Sequence, residues 1–311
     1  MKNYMVKRIV MTIPMIVAVS LVAFILINLI PVDPAEVALR VNDIIPTEEA
    51  LEGMKEELGL NKSYLQRYIA WMGDALRLDF GNSYVNRNRT VLDEITRSLP
   101  ATIELATASL LIVLCISIPV GVLCALYKNS VFDKIVRMFI FVGSAMPNYW
   151  IGILLIWFFG VKLGILPTGG NRETGAIILP AVTLSLTYIS TYVRLIRNNM
   201  LENMTENYVF YAKIRGLKDR SIVVKHVLKN SLQSSVTALG MSIVQLISGT
   251  VVIENIFSWP GIGRLCITAI FNRDYPVIQA YILMMGILFI FCNLMVDIVH
   301  HKLDPRLREG I

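Results

Sequence analysis

TENYVFYAKIRGLKDRSIVVKHVLKNSL, Thr205 to Leu232, is the stretch on which the reading of this chain turns. It predicts two short helices joined at a glycine. Thr205 is placed as N-cap of the first, and Gly216 takes the left-handed C′ position that ends it. Leu217 follows at C″, one turn from Ala212. Asp219 can cap the second helix, in which Ile222, Val223, His226 and Val227 share one face at helical spacing. Six residues of the stretch are basic: Lys213, Arg215, Lys218, Arg220, Lys225 and Lys229. In a soluble protein that pattern suggests a helix-turn-helix reader of DNA. Long apolar runs on both sides exclude nucleic acid. They put a folded, basic helix pair at a membrane surface, where a partner must dock.

Composition agrees with a chain that lives in a bilayer. Of 311 residues 55% are hydrophobic and only 17% charged, against about 25% charged in soluble domains. Cys115, Cys124, Cys266 and Cys292 match no metal or redox spacing and read as apolar fillers. No disulfide framework is implied.

Upstream, Lys2, Lys7 and Arg8 precede an apolar run from Ile9 to Ile30, which at 1.5 Å per residue extends ~33 Å, enough to cross a bilayer. It ends in Ile30-Pro-Val-Asp-Pro34 rather than a small-residue cleavage site, so residues 1–30 read as an uncleaved anchor. Residues 31–98 differ in kind, with twelve acidic and eight basic side chains. Amphipathic patterns near Thr47–Leu58 and Ser63–Leu76 predict helices, and Leu78–Ser83 reads as a turn. Thr47 has Ala50 where a capping-box glutamate would stand, although Glu48 and Glu49 suit the first-turn dipole.

The membrane domain, 98–301, holds five more spans, at about 98–127, 135–161, 176–196, 236–256 and 277–299. Pro100 is placed near the first position of its helix. Pro147-Asn148 interrupts the next, read as one kinked, tilted helix. A loop over 164–175 is rich in Gly and Pro. The reading is an all-α membrane protein of six transmembrane helices with a cytoplasmic helix pair at 205–232 and a tail at 302–311. Charge sets its orientation: 17 of the 29 Lys and Arg lie on the side holding both termini and the helix pair, which is therefore cytoplasmic. Residues 31–98 face outward.

Few residues could carry chemistry. There is no GxxxxGK[ST] loop to cradle a nucleotide. Gly261-Ile-Gly263 begins a dinucleotide fingerprint, but Cys266 occupies the third glycine position and no strand precedes it. No nucleophile has a base at workable spacing. His226 reads as a packing or interface residue and His300-His301 as a headgroup-level pair, so no metal site is assigned. Glu104 sits near the first turn of its span, and Glu254 and Asp297 near span ends. Within the spans, Asn28, Gln245 and Asn293 are polar. Gly240, Ser242, Ser248 and Gly249 permit close helix contact, with Gln245 available for an interhelical hydrogen bond. Helix packing and a solute path both remain open for this face. Ion-coupled carriers place ionisable groups and broken helices near mid-membrane, which this chain hardly does. A membrane enzyme or receptor would need a site not visible here. The pattern is that of a passive half-channel whose energy enters through the basic loop.

These residues resemble a family. The helix pair is similar to the EAA loop of bacterial ABC importer permeases, although the motif's Glu is missing and Phe210, Tyr211 and Ala212 stand in its place ahead of Gly216. Tyr208-Val209, Arg215-Gly-Leu217 and His226-Val-Leu-Lys-Asn230 resemble the peptide/nickel branch. So do Leu78-Asp-Phe-Gly81, Pro100-Ala-Thr, Glu254-Asn-Ile-Phe-Ser-Trp-Pro-Gly-Ile-Gly-Arg264, Arg273-Asp-Tyr-Pro-Val-Ile-Gln279 and Leu303-Asp-Pro-Arg306. The segments 253–257 and 269–279 are most similar to the nickel-import permease, with dipeptide or oligopeptide import as the alternative and an ion-coupled carrier as a remoter one. The resemblance implies a non-catalytic permease of the bacterial cytoplasmic (inner) membrane, type I in fold. It implies a second, similar permease, two cytoplasmic ATPases that use ATP and Mg, and an extracytoplasmic solute-binding protein, with no cofactor in this chain. Tyr208, Tyr211, Ala212, Arg215, Gly216, Leu217 and His226 are then expected to couple to the ATPase. Gln245, Ser248 and Asn293 are candidates for the path. Trp259, Pro260, Gly261, Arg273 and Asp274 are candidates for the receptor-facing gate.

Overall fold

The computed structural model describes residues 2–29, 31–86 and 88–303. The tail from 304 onward, with its Leu303–Arg306 match, and the side chains of Asp297, His300 and His301 lie outside the described residues. Helices dominate, and among the described residues one isolated bridge joins Asn82 to Thr90. The chain divides into two units, residues 1–101 with 260–294 and residues 102–259 with 295–311.

The first unit contains α1 (Lys2–Asn28), α2 (Pro34–Val41), α3 (Glu48–Glu57), α4 (Tyr64–Ala75), the start of α5 (Val91–Leu126), α12 (Ile262–Asn272) and most of α13 (Tyr275–Leu303). Its core gathers Val91, Ile95, Ile262, Tyr275 and Leu283. α1 and α13 come together at Gly286, where a Cβ would stand 2.3 Å from Val19 Cγ1. α3 starts as expected, with the Thr47 hydroxyl accepting from the Ala50 N–H at 3.3 Å. α4 opens on a full capping box between Ser63 and Gln66. Two short helices, α2 and α12, go beyond the sequence expectation. One placement is corrected. The Thr90 hydroxyl accepts from the Asp93 N–H at 3.1 Å and so starts α5 a turn or more early, leaving Pro100 inside the helix rather than at its beginning.

In the second unit α8 (Ile178–Asn203) packs against α6 (Val131–Ala145), α7 (Asn148–Leu155) and α11 (Leu228–Ile256). The kinked third span is also corrected. α6 and α7 meet at 105°, a break rather than a bend. Met146 before Pro147 is extended at φ −94, ψ 133, because a proline ring disfavours helical geometry in the residue ahead of it. The Thr187 hydroxyl of α8 then donates to the Asn148 side-chain oxygen and holds the broken end. α7 runs on into a π-turn, Ile156–Lys162. The loop that follows presses on the end of α11. Gly170, at φ +78, donates to the Phe257 carbonyl at 2.8 Å, and a Cβ on Gly169 would lie 2.6 Å from that oxygen.

Span limits move accordingly. α8 and α11 are longer than the expected 176–196 and 236–256, and α13 begins at Tyr275. Among the described residues four helices are long and apolar enough to cross a membrane, or five with the broken pair counted as one span. The stretch Ser242–Ile256 of α11 is apolar but shorter.

Candidate functional site

The loop between α8 and α11 folds as a compact unit. α9 (Asn207–Ile214) and the short α10 (Asp219–Ser221) are joined at Gly216, whose φ is +75. The Schellman ending is complete: Gly216 N–H donates to Lys213 at 2.9 Å and Leu217 N–H to Ala212 at 3.2 Å. Thr205 is not the cap. Its hydroxyl turns back to the Glu202 carbonyl at 2.7 Å, and Glu206 holds the N-cap position without a side-chain bond. Asp219 likewise sits at the first helical position, behind Lys218.

α10 leads into a π-turn over Ile222–Val227. The wider turn puts Ile222 and Val227, five apart, into the loop's core, where Val209 and Ala212 meet them beneath Ile196 and Met200. The expected shared face is therefore corrected: Val223 is half-buried, and His226 points outward.

Turned away from that core is an apolar face. Phe210, Tyr211 and Ile214 are 63%, 63% and 67% exposed, and Val224 and Leu217 extend the patch. Their spacing along α9 keeps the first three within one ~100° arc. A folded element that spends apolar side chains on its outer face is built to be covered. Arg215, Lys213 and Lys218 border it. Tyr208 is half-buried, its hydroxyl bonded to Asn203 Oδ1 at 3.1 Å, and Ala212 faces inward. Phe210, Ile214 and Val224 escaped the sequence reading as contact residues. The available signal was that α9 is apolar on both of its faces.

Polar staples fix the loop to the helices on either side. Asn199 on α8 donates to Ser235 Oγ at 3.2 Å, and the Ser231 hydroxyl of α11 donates back to the Asn199 carbonyl at 3.1 Å. Tyr192 reaches across to Ser242 at 2.6 Å and to the Ala238 carbonyl at 2.9 Å. Below them Arg197 grips the buried Asp133 of α6 with two bonds of 2.7 and 2.9 Å, and the same carboxylate accepts from Asn129 N–H. Interhelical bonds between α8 and α11 thus come from Tyr192, Asn199, Ser231, Ser235 and Ser242. Gln245, expected there, is exposed.

Gln245 and Ser248 share an exposed stripe of α11 with Val252 and Asn255. Asn293, half-buried on α13, donates to its own helix at Phe289. Further along α11, Thr102 donates to the buried Glu254 at 2.7 Å, and Trp259 is buried, its N–H on the Glu254 carbonyl. In the other unit Gly261 stands as N-cap of α12, with Pro260 before it, and Arg273 ends that helix in the left-handed region at φ 56. Arg273 is exposed; Asp274 is not. Its carboxylate accepts from the Ser83 hydroxyl and from the N–H groups of Tyr84 and Val85, tying the 83–85 segment to the start of α13. Burial, with Asp274 beside it, pushes the Tyr84 phenol above its usual range. No group of three His, Cys, Asp or Glu converges among the described residues.

Residues 117–309 match the family described as binding-protein-dependent transport system inner membrane component, and residues 1–106 match its N-terminal membrane component. The chain is 37% identical over 311 residues to the metal-staphylopine import system permease protein CntB of Staphylococcus aureus (strain NCTC 8325 / PS 47), covering 100% of this chain and 99% of that protein. It is 35% identical over 317 residues to the oligopeptide transport system permease AppB of Bacillus subtilis (strain 168), covering 99% of each. With the glutathione transport system permease GsiC of Escherichia coli (strain K12) the figure is 33% over 310 residues, again 99% of each. Among solved structures, an inward-facing MetNI methionine ABC transporter superposes with a TM-score of 0.58 over 68% of this chain and 96% of that one, at 18% identity.

Proposed function

Because the chain belongs to the binding-protein-dependent transport system inner membrane component family, as a permease subunit of an ABC importer, we propose that it imports a metal held in a small organic chelate, nickel first among them. The full-length identity to a metal-staphylopine permease carries this reading. The oligopeptide permease lies only slightly further away, so peptide import is the second reading.

In the proposed assembly the chain is non-catalytic. It pairs with a second permease, two cytoplasmic ATPases that bind ATP and Mg, and an extracytoplasmic solute-binding protein, in a bacterial inner membrane with both termini cytoplasmic. The exposed face of Phe210, Tyr211 and Ile214 seats in the ATPase, with Arg215, Leu217 and His226 at its margin. Because Asn199, Ser231 and Ser235 staple the loop to α8 and α11, displacement of the loop is passed to both helices as one body. Gln245 and Ser248, on the exposed stripe of α11, line the path; Asn293 is a separate candidate on α13. Trp259, Pro260 and Gly261 brace the receptor side, where Arg273 is the exposed contact and Asp274 the anchor behind it.

The test is uptake of radioactive nickel, supplied with an amino-carboxylate chelator, by the reconstituted complex with its solute-binding protein. Uptake is expected to need ATP and to be competed poorly by dipeptides. Strong dipeptide uptake with no nickel uptake would replace the metal reading with the peptide one.

A further inference from the structure

Within the first unit, α4 carries an apolar stripe that is left open. Leu65, Ile69, Met72 and Leu76 fall at i, i+4, i+7 and i+11, one face of the helix. Leu65, Ile69 and Leu76 are 69%, 61% and 79% exposed. Gln66, Ala70 and Asp74 form a separate, polar side. The remaining face packs against α1. There the Tyr68 hydroxyl donates to Ser20 Oγ at 2.8 Å, the Ser20 proton being held by the Val17 carbonyl. Phe24 meets Tyr68 edge-on with ring centroids 5.5 Å apart and Trp71 at 6.3 Å. Ser20 and Phe24 stand eight and four residues before the end of α1 at Asn28, so about 12 and 6 Å back along its axis. Val10–Asn28 is the length of α1 that is apolar enough to cross a membrane. α4 is therefore held beside that length, not beyond its end.

The same stripe opens into a cavity of about 390 Å³. Met72 and Leu76 form one wall, and Ile16 of α1 with Leu283, Leu288 and Phe291 of α13 form others. Every side chain that lines it is apolar. A buried water needs roughly two to four polar partners, so this space suits hydrocarbon and not water. From Leu283 to Phe291 the cavity follows α13 for ~12 Å, most of the ~15 Å of hydrocarbon in one leaflet. Ile16 and those α13 residues lie in the two stretches Val10–Asn28 and Tyr275–Val296, both long and apolar enough to cross a membrane. The cavity is thus at the depth of acyl chains.

We propose that α4 is embedded in the lipid leaflet at the C-terminal end of α1, and that the cavity it walls seats one acyl chain of a phospholipid. An amphipathic helix lying at the boundary of headgroups and acyl chains buries its apolar face in just this way. Tyr64, Tyr68 and Trp71, on the neighbouring face, are of the aromatic types that concentrate at headgroup level. The seated chain fills the space that side chains of α1, α4 and α13 leave open. The segment between α1 and α5 is then a part of the membrane domain along α4, and not wholly an aqueous elaboration.

The test uses the assembled transporter in nanodiscs of a single phosphatidylcholine, with a photoreactive phenylalanine analogue placed in turn at Leu65, Ile69, Leu76 and Ala70. Illumination should give a phospholipid adduct, read by mass, at the three stripe positions and lose it at Ala70 on the polar side. After extraction into detergent, native mass spectrometry should find the phospholipid retained on the unaltered transporter. Met72→Trp, which fills the cavity, should lower that retention about tenfold, the scale of two methylenes withdrawn from apolar burial. Leu76→Asp, at an exposed position that leaves folding alone, should lower it likewise by setting a charge at the cavity wall. No lipid adduct on the stripe, equal labelling at Ala70, an adduct with another subunit in place of lipid, or retention that is absent or unchanged in both variants would overturn the proposal. It rests on the chain's place in a membrane and not on the solute carried, so the outcome of the nickel uptake assay leaves these results unaffected.

Discussion

Arg197→Met is expected to lose about 3 kcal/mol of stability, at the low end of what breaking a buried ion pair costs. Asp133 has no exposed side-chain surface and Arg197 only 12%. Both guanidinium bonds go to that carboxylate, at 2.7 and 2.9 Å. Methionine fills much of the arginine's volume but strands a buried anion. The Asn129 N–H at 3.0 Å and Arg137 at 3.5 Å remain beside it, which is why the loss stays near the lower figure. A further Asp133→Asn change removes the stranded charge and should recover part of the stability. Thermal melting of the detergent-solubilised variants reads this directly. A melting temperature for Arg197→Met equal to that of the unaltered protein would show that the pair does not hold α6 to α8.

Gly216→Val is expected to cut solute-stimulated ATP hydrolysis about 5- to 30-fold, the population change that 1–2 kcal/mol produces. The cost comes from the backbone. Nothing lies within 4 Å of a Cβ at this position, while its φ of +75 is one that a β-branched residue adopts poorly. Valine thus loosens the joint between α9 and α10 without a clash. Gly216→Asn, which tolerates the left-handed region, should keep most of the coupled rate. Equal stimulation in the valine variant would mean that the joint does not transmit force.

Much of the loop was legible in the sequence because its signals are local. A glycine, a following leucine and an alanine one turn back specify a Schellman ending, and the structure has both of its bonds. The caps were harder. Thr205 and Asp219 have the right chemistry, but each lies one position from the residue that takes the N-cap, Glu206 and Lys218. The π-turn was not legible, since helical periodicity of 3.6 puts His226 inside, and only packing of Ile222 and Val227 five residues apart turns it out. The same holds for the break at Met146-Pro147. Its cause is local, yet a 105° turn rather than a kink depends on Asn148 finding Thr187 on another helix. Asp133 and Arg197 were visible only as two charges beside apolar spans, 64 residues apart. The long apolar helices themselves needed no tertiary information, although α5 and α11 extend past the hydrophobic stretches that announced them.

The outer face of α9 is the proposed docking surface for the ATP-hydrolysing subunit. A photoreactive phenylalanine analogue placed at Ile214, which is 67% exposed, tests it in the assembled transporter. Illumination should join this chain to the ATPase subunit, while the same analogue at Leu76, exposed at the end of α4, should not. An Ile214 probe that captures lipid or the solute-binding protein and never the ATPase would contradict the account.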